Sequence, residues 1–307
     1  MEDLNRRIYV GVDGGGTRCR VRVCDAEGRV LAETTGGAAN VRLGQDFAWA
    51  NISAAIDAAL RDAGLSRAIL KQASAGFGLA GVLKAEDCAG IVAHVDTFAA
   101  LKVSSDAHAA CLGAFGGEDG AIQIIGTGAS SYAIIDGSGH PRGGWGFRLA
   151  ERASGASLGR DALLASLQAH DGFAIQTPFT RATIEGFGTP VDIVDWSEKA
   201  SPADFAALAP SVFQFADAGD PAALSLVDRL VFDCALYIDG LIALGAPQVC
   251  LLGGLAPLVR PRLPGRLAPY MTEPKGDPLD GALLLARQGR AEAGTGVANS
   301  GLEEVQP

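Results

Sequence analysis

Residues 8–25 read IYVGVDGGGTRCRVRVCD. The apolar run over 8–12 predicts a first strand, and apolar residues that alternate with arginines over 18–23 predict a half-buried second strand. The turn between them contains three successive glycines, Gly14, Gly15 and Gly16. Such a turn permits positive φ and lets main-chain N–H groups converge without Cβ obstruction, as in an anion-binding nest. We therefore predict a phosphate-binding turn, with a plain glycine-rich hairpin as the alternative.

Two polar side chains flank these glycines. Thr17 adds a hydroxyl, and Asp13 can hold a cation or its water, although a solvated aspartate is also typical of a hairpin. The P-loop signature G-x-x-x-x-G-K-[ST] is absent, since the chain contains no Gly-Lys dipeptide. P-loop phosphotransfer is therefore excluded.

A second copy of this strand, turn and strand pattern occurs 111 residues later. Placing residues 25–28 over 136–139 aligns Gly126-Thr127-Gly128 with residues 15–17. Internal similarity of this kind predicts two related domains with a ligand held by both glycine turns, unless the similarity of the hairpins is chance.

The rest of the chain alternates strands and helices. A helical face over 45–62 includes Phe47 and Ile52 and stops at Gly64, and short strands are predicted near 73–79 and 101–105. This order predicts an α/β protein with mixed sheets covered by helices. Further on, we predict helices over 154–167, 222–244 and 279–287, a buried strand over 248–252, and an inserted helical subdomain at about 170–220.

Composition and charge limit the classes of function that the chain can have. The chain has 307 residues, 41 of them glycine, and a formal net charge of −10, which allows two domains. Its basic residues are scattered, so nucleic acid is a poor partner. No apolar span or secretory signal is recognisable, and we expect a cytoplasmic protein with no membrane contact. The six cysteines form no C-x-x-C pair, which predicts reduced and mostly buried thiols.

Several further residues allow two interpretations each. Asp106, between a short strand and a helix, is either an N-cap or a general base at a strand's carboxyl end. Gly76, Gly78 and Gly81 match G-x-G-x-x-G, but the room before Asp96 is too short for a dinucleotide fold, so a loop that admits substrate is preferred.

Other candidates lie in the second half of the chain. Trp145 could pack on a sugar or fill a core. Glu151 and Arg152 could act in a site or be solvated at a helix start. Gly253 and Gly254 could admit a flat base such as adenine or simply end a strand.

Six motifs occur in a characteristic order: Asp13-Gly14-Gly15-Gly16-Thr17, Ser105-Asp106-Ala107, Gly126-Thr127-Gly128, Gly143-Gly144-Trp145-Gly146, Leu252-Gly253-Gly254 and Asp280-Gly281-Ala282. Together they resemble the N-acetylglucosamine kinase and BadF/BadG/BcrA/BcrD ATPase family of the actin, Hsp70 and sugar kinase superfamily. The resemblance runs from about residue 8 to 290. It implies two ribonuclease-H-like domains with an interdomain cleft that binds ATP and sugar.

The resemblance also implies domain boundaries and an assembly. The first domain would comprise residues 1–116 and about 280–290, the second 117–279, and 291–307 would form a flexible tail. A homodimer is common among relatives and is expected here.

Nucleotide roles follow from the same resemblance. Asp13 would hold Mg²⁺ through water, Gly14 to Thr17 would bind the β- and γ-phosphates of ATP, and Gly126-Thr127-Gly128 would form a second phosphate loop. Gly253 and Gly254 would face adenosine.

For the sugar, Asp106 would take the proton of the 6-hydroxyl as it attacks the γ-phosphorus. Asn40, the loop from Gly78 to Gly81, Trp145 and Glu151 would contact the sugar. Many relatives have Gly-Asp-Glu-Gly-Ser where residues 150–154 read AERAS, so Glu151 is one methylene longer than the usual aspartate and Arg152 reverses a charge.

The predicted activity is ATP-dependent phosphorylation of an amino sugar, N-acetylglucosamine or glucosamine. Two alternatives are an ATPase that activates a dehydratase, which would need paired cysteines for an iron–sulfur cluster, and a non-catalytic sugar sensor.

Overall fold

The computed structural model describes residues 7–149 and 152–288. The predicted sugar contact Glu151 and the predicted tail lie outside these residues. Contacts divide the chain into two compact units. The first unit comprises the described residues up to Ile122, Tyr132–Pro141 and the described residues from Glu273 onward. The second comprises Gln123–Ser131 and Arg142–Thr272. The domain boundaries given above stay a prediction.

The first sheet contains five strands: β1 (Ile8–Gly14), β2 (Cys19–Asp25), β3 (Val30–Gly36), β4 (Ser74–Leu79) and β5 (Ala100–Ser105). Their order is β3-β2-β1-β4-β5. The first three strands are antiparallel neighbours, whereas β4 pairs parallel with both β1 and β5. The carboxyl ends of β1, β4 and β5 therefore meet at one edge of the sheet.

The second sheet contains β6 (Gly120–Ile125), β7 (Ala129–Ile135), β8 (Ser138–Gly143), β9 (Val249–Leu252) and β10 (Met271–Thr272). Its order is β10-β9-β6-β7-β8. Read from the other side, this is the order of the first sheet, with β6, β7 and β8 in the places of β1, β2 and β3. The common strand order supports the repeat that was predicted from the glycine turns.

Eleven helices are named here: α1 (Gln45–Asp62), α2 (Ala89–Val92), α3 (Asp106–Phe115), α4 (Gly155–His170), α5 (Pro178–Phe187), α6 (Pro190–Ser197), α7 (Pro202–Ala206), α8 (Ala209–Asp217), α9 (Pro221–Ala243), α10 (Ala256–Val259) and α11 (Pro278–Gln288). Helix α1 has the predicted bounds, and Gly64 follows it with φ 68°. Phe47, predicted on its apolar face, is 51% exposed, because Ala48 takes the inward position.

Helices α3 and α11 pack closely in the first unit. A Cβ atom added at Gly281 would lie 1.7 Å from the carbonyl oxygen of Ala109, and one at Gly113 would lie 2.0 Å from that of Asp277. These distances leave no room for a side chain, so the two backbones touch at glycine. The contact fixes α3, whose first residue is Asp106.

The second unit is mainly helical. A buried cluster of Leu163, Ile193 and Phe205 joins α4, α6 and α7, and Trp196 packs edge-on against Phe205. Over the described part of the chain, no helix combines the length and apolarity that a membrane crossing requires.

Candidate functional site

In the first unit, polar residues gather at the carboxyl ends of the parallel strands. The register places Asp13 of β1 beside Gly78 of β4, and Gly78 beside Ser104 of β5. Asp106 follows two residues after Ser104 as the first residue of α3. The strands thus bring the predicted cation ligand, Asp13, and the predicted base, Asp106, to the same edge.

Asp106 does not cap its helix. The cap is Ser105, whose hydroxyl accepts a hydrogen bond from the N–H of His108 at 3.1 Å. The Asp106 carboxylate accepts one bond from the adjacent N–H of Ala107 at 2.8 Å. Burial raises the pKa of Asp106 against that hydrogen bond, and the negative charge of Asp13 raises it further. A raised pKa makes a carboxylate a stronger proton acceptor, which is compatible with the predicted role of Asp106 as a general base.

The first glycine turn presents main-chain donors. Gly14 and Gly15 use their carbonyl oxygens to accept from Ala80 at 2.7 Å and Ala39 at 2.9 Å. Among the described residues, the N–H groups of Gly16 and Thr17 have no acceptor, and both residues are exposed. Their N–H groups are therefore available to an anion.

The reason for glycine in this turn differs from the expectation. No glycine from Gly14 to Gly16 has a positive φ. A Cβ at Gly14 would instead lie 2.6 Å from Leu79 Cδ2 and 3.0 Å from Ala39 Cβ, whereas a Cβ at Gly16 would meet nothing within 4 Å. Close packing thus explains Gly14, and Gly16 faces open space.

Asp13 is paired with an arginine that sequence reasoning missed. Arg20 Nε and Nη2 donate to Asp13 Oδ2 at 3.1 and 2.8 Å, and Arg20 Nη1 donates to Asp277 Oδ2 at 3.1 Å. The signal was available, because Asp13 and Arg20 are cross-strand partners in the β1–β2 hairpin. Arg22, two residues along β2, bonds to Asp277, Asp280 and Glu33.

Asp277 also organises the start of α11. Its carboxylate accepts from the N–H of Asp280 at 3.0 Å, and its own N–H donates to Asp280 at 2.9 Å. Burial raises the pKa of Asp277, but the Asp280 N–H together with Arg22 and Arg20 outweighs burial and lowers that pKa overall.

The residues fit Mg²⁺ in a limited way. Mg²⁺ commonly uses one or two carboxylates and takes its other ligands from water and substrate phosphates. Asp13 keeps one carboxylate oxygen outside its pair with Arg20. Within the described residues, no cluster of three or more His, Cys, Asp or Glu could form an all-protein metal site. A water- and phosphate-completed ion on Asp13 is the form that suits this donor set.

Two of the predicted sugar contacts in this unit, Asn40 and Gly81, lie together. Asn40 Oδ1 accepts from the N–H of Arg42 at 2.9 Å, and a Cβ at Gly81 would lie 2.3 Å from that same oxygen. Gly81 has φ 87°, which only glycine adopts readily. Gly78 lies inside β4, where a Cβ would be 2.4 Å from Ala109 Cβ.

The predicted substrate-admitting loop is wrong for Gly76 and Gly78, and the same geometry excludes the dinucleotide alternative. Gly76 and Gly78 lie within β4 rather than in a strand-to-helix turn. A Cβ at Gly76 would lie 2.0 Å from the carbonyl oxygen of Ala282. These glycines let α11 and α3 pack on the strand.

In the second unit, the second glycine turn lies against a helix start. The N–H groups of Gly155 and Ala156 at the start of α4 donate to the carbonyls of Gly126 and Thr127 at 2.8 and 3.1 Å. Among the described residues, the N–H groups of Thr127 and Gly128 have no acceptor. This turn, like the first, points its carbonyls into the protein and leaves two donors free.

Gly253 and Gly254 adjoin this turn. Gly253 has φ 97°, and its Cβ would lie 2.4 Å from the carbonyl oxygen of Ile125, the residue before Gly126. A Cβ at Gly254 would meet nothing within 4 Å. The structure therefore brings together the two motifs of this unit that are predicted to bind nucleotide.

Trp145 is 68% exposed and lies between Gly144 and Gly146, which both have positive φ. Its indole is therefore not core, and a role in sugar binding stays a prediction. The six cysteines are free and buried, as predicted.

Comparisons with known proteins agree with these features. The sequence profile described as the BadF/BadG/BcrA/BcrD ATPase family matches residues 10–286. The chain is 34% identical over 279 residues to "Glucosamine kinase GspK" of Vibrio cholerae, covering 91% of this chain and 95% of that protein. It is 29% identical to "N-acetyl-D-glucosamine kinase" of Dictyostelium discoideum, covering 73% and 76%.

Solved structures confirm the predicted fold class. A candidate N-acetylglucosamine kinase from Chromobacterium violaceum has a TM-score of 0.83 and 35% identity, with 91% of this chain and 99% of that chain covered. A ROK family glucokinase from Streptomyces griseus has a TM-score of 0.55 at 20% identity, with 93% and 100% covered. The second likeness concerns the fold alone.

Proposed function

The chain belongs to the BadF/BadG/BcrA/BcrD ATPase family, and from this membership we propose that it transfers the γ-phosphate of ATP to the 6-hydroxyl of an amino sugar. Its relatives with kinase names are phosphotransferases for glucosamine and N-acetylglucosamine. Glucosamine is the first substrate to test, since the match to the Vibrio cholerae glucosamine kinase covers most of both chains.

The observation that supports this proposal is the state of Asp106. The residue lies at the carboxyl end of β5, is not used as a helix cap, and accepts only the N–H of Ala107 among the bonds described. Burial and Asp13 raise its pKa. A carboxylate of this kind can accept the hydroxyl proton as the sugar oxygen attacks phosphorus.

The two glycine turns would bind the phosphates. Gly16 and Thr17 would offer main-chain N–H groups to phosphate oxygens, and Thr127 and Gly128 would do the same as the second phosphate loop. Asp13 would hold Mg²⁺, which supplies charge neutralisation to the triphosphate when bound. Gly253 and Gly254 would admit adenosine, and Asn40 and Gly81 would border the sugar.

Substitution of Asp106 by asparagine tests the base. Asparagine keeps the shape and can still accept from Ala107, but it cannot take a proton. We expect kcat for ADP release with glucosamine to fall about a hundredfold or more, while ATP affinity measured by calorimetry stays within twofold. Because the ionised carboxylate is disfavoured by burial, the Tm of Asp106→Asn should equal or exceed that of the wild type.

Asp46→Asn is the matched control, since Asp46 is an exposed aspartate in the first turn of α1 and should keep full activity. A panel of glucosamine, N-acetylglucosamine, N-acetylmannosamine and glucose identifies the acceptor. Wild-type turnover in Asp106→Asn would refute the base, and no ADP release with any sugar despite ATP binding would refute the kinase.

A further inference from the structure

The side chain of Arg20 places a positive charge beside the first glycine turn. It lies on β2, three residues after Thr17, and its guanidinium donates twice to Asp13 Oδ2. Arg20 is 26% exposed and Asp13 is 22% exposed, so the pair is partly shielded from water. Charge interactions in such places are screened less than at an open surface.

Carboxylates lie close to this turn, in addition to the exposed Arg18 that follows Thr17. Asp13 and Asp106 lie near enough for the charge of Asp13 to raise the pKa of Asp106, and the whole chain has a formal net charge of −10. A triphosphate brought to main-chain donors here would meet the negative charge of Asp13. A fixed cation on Asp13 offsets that repulsion.

Arg20 is held from both sides. Its Nη1 donates to Asp277 at 3.1 Å, and Asp277 is itself fixed by the N–H of Asp280 at the start of α11. An arginine can bridge two carboxylates because its planar fork presents several donors in fixed directions. The bridge keeps the guanidinium at Asp13 instead of leaving it free to turn into solvent.

We propose that Arg20 is a positioning residue for the nucleotide: it fixes and neutralises Asp13 so that the turn from Gly14 to Thr17 accepts a polyphosphate, and Asp277 holds Arg20 in place. This inference deepens the proposed function and depends on its nucleotide site alone. From the sequence, phosphate binding was predicted to depend on main-chain amides and Mg²⁺. Arg20 adds a cationic side chain to these groups.

The test is equilibrium binding without turnover. ATP, ADP and AMP are titrated calorimetrically into wild type and Arg20→Gln, with excess Mg²⁺ and no sugar. We expect Arg20→Gln to weaken ATP binding about tenfold, ADP binding less and AMP binding least, because the loss follows the phosphate charge. The wild-type advantage should shrink as salt is raised.

Arg22→Gln is the matched control. This substitution removes the same charge from the same face of β2. Like Arg20, Arg22 bonds to Asp277, but Arg22 makes no bond to Asp13. We expect its ATP affinity to stay within about twofold of the wild type. A difference in ATP affinity between the two variants therefore depends on where the charge lies and not on the net charge of the protein.

Asp277→Asn tests the anchor. Asparagine can still cap α11, but it loses the charge that holds Arg20, so ATP binding should weaken by about threefold. Glucosamine binding, measured separately, should change less than twofold in Arg20→Gln.

Three results would overturn the inference: unchanged ATP binding in Arg20→Gln, an equal loss in Arg22→Gln, or an equal loss for AMP. Unchanged binding in Asp277→Asn would refute the anchor. A wild type that binds ATP but phosphorylates no sugar would refute the kinase proposal and leave the Arg20 test intact.

Discussion

At the residue scale, glycines at the site serve two different needs, and substitution separates them. Gly78 was predicted to touch the sugar, but its missing Cβ makes room for Ala109 at 2.4 Å. Gly78→Ala should therefore push α3, and Asp106 with it, away from β4. We expect a loss of about 1–3 kcal/mol in the free energy of unfolding, measured by urea denaturation, together with a lower kcat.

Gly16→Ala is the substitution to compare with Gly78→Ala, because a Cβ at Gly16 meets nothing within 4 Å and the native φ is not positive. Its stability should match the wild type, while the added methyl group beside free N–H groups should weaken ATP binding. A Gly78→Ala protein with unchanged stability and a raised KM for sugar alone would contradict the packing explanation.

At the element scale, the packing of helix α11 on α3 depends on a glycine seam, formed by Gly281 of α11 and Gly113 of α3. Gly281→Ala would place Cβ 1.7 Å from the Ala109 carbonyl oxygen, so α11 and α3 would have to separate. We expect a loss of about 3 kcal/mol in the free energy of unfolding.

Gly240→Ala in α9 is the control, because its Cβ meets nothing within 4 Å; it should gain about 0.5–1 kcal/mol from helix propensity. Denaturation curves of the two variants that shift in the same direction would show that propensity, and not the seam, governs Gly281.

Elements with strong local periodicity were predictable. The hairpin of β1 and β2 and the bounds of α1 follow from alternation and from a 3.6-residue period. Phe47 was placed wrongly because it precedes Ile52 by five residues, which puts it about 140° around the helix from the apolar face. Ala48 precedes Ile52 by four residues and lies on that face. The two-residue strand β10 has no periodicity to detect, and its pairing with β9 depends on the folded chain.

At the scale of the whole molecule, the repeat was the most informative feature of the sequence. It predicted two related domains, and the structure has two sheets with one strand order and two turns with N–H groups that have no acceptor among the described residues. Side-chain pairing was less accessible. The bond from Arg20 to Asp13 needed only the hairpin register, but its bond to Asp277 joins residues 257 positions apart and depends on where α11 packs.

Acid stability is a property of the whole molecule to which groups with a shifted pKa contribute, and His108 is one of them. The ring of His108 accepts or donates at Ser104 Oγ over 2.7 Å and stacks on Tyr132. Burial, with a smaller effect of Lys102, lowers the pKa of His108 to about 4, whereas an unfolded histidine titrates near 6.5. Between these values the unfolded chain binds the extra proton at this histidine, so the contribution of His108 to stability falls as the pH falls.

From about pH 6 to pH 4, we expect the wild type to lose about 1 kcal/mol per pH unit more of its free energy of unfolding than His108→Gln loses, measured by urea denaturation at several pH values. The raised pKa of Asp106 acts in the opposite direction, but it does so in both proteins. His170→Gln, at an exposed position on α4, should keep the wild-type slope. Equal slopes in wild type and His108→Gln would show that the pKa of His108 does not change on unfolding.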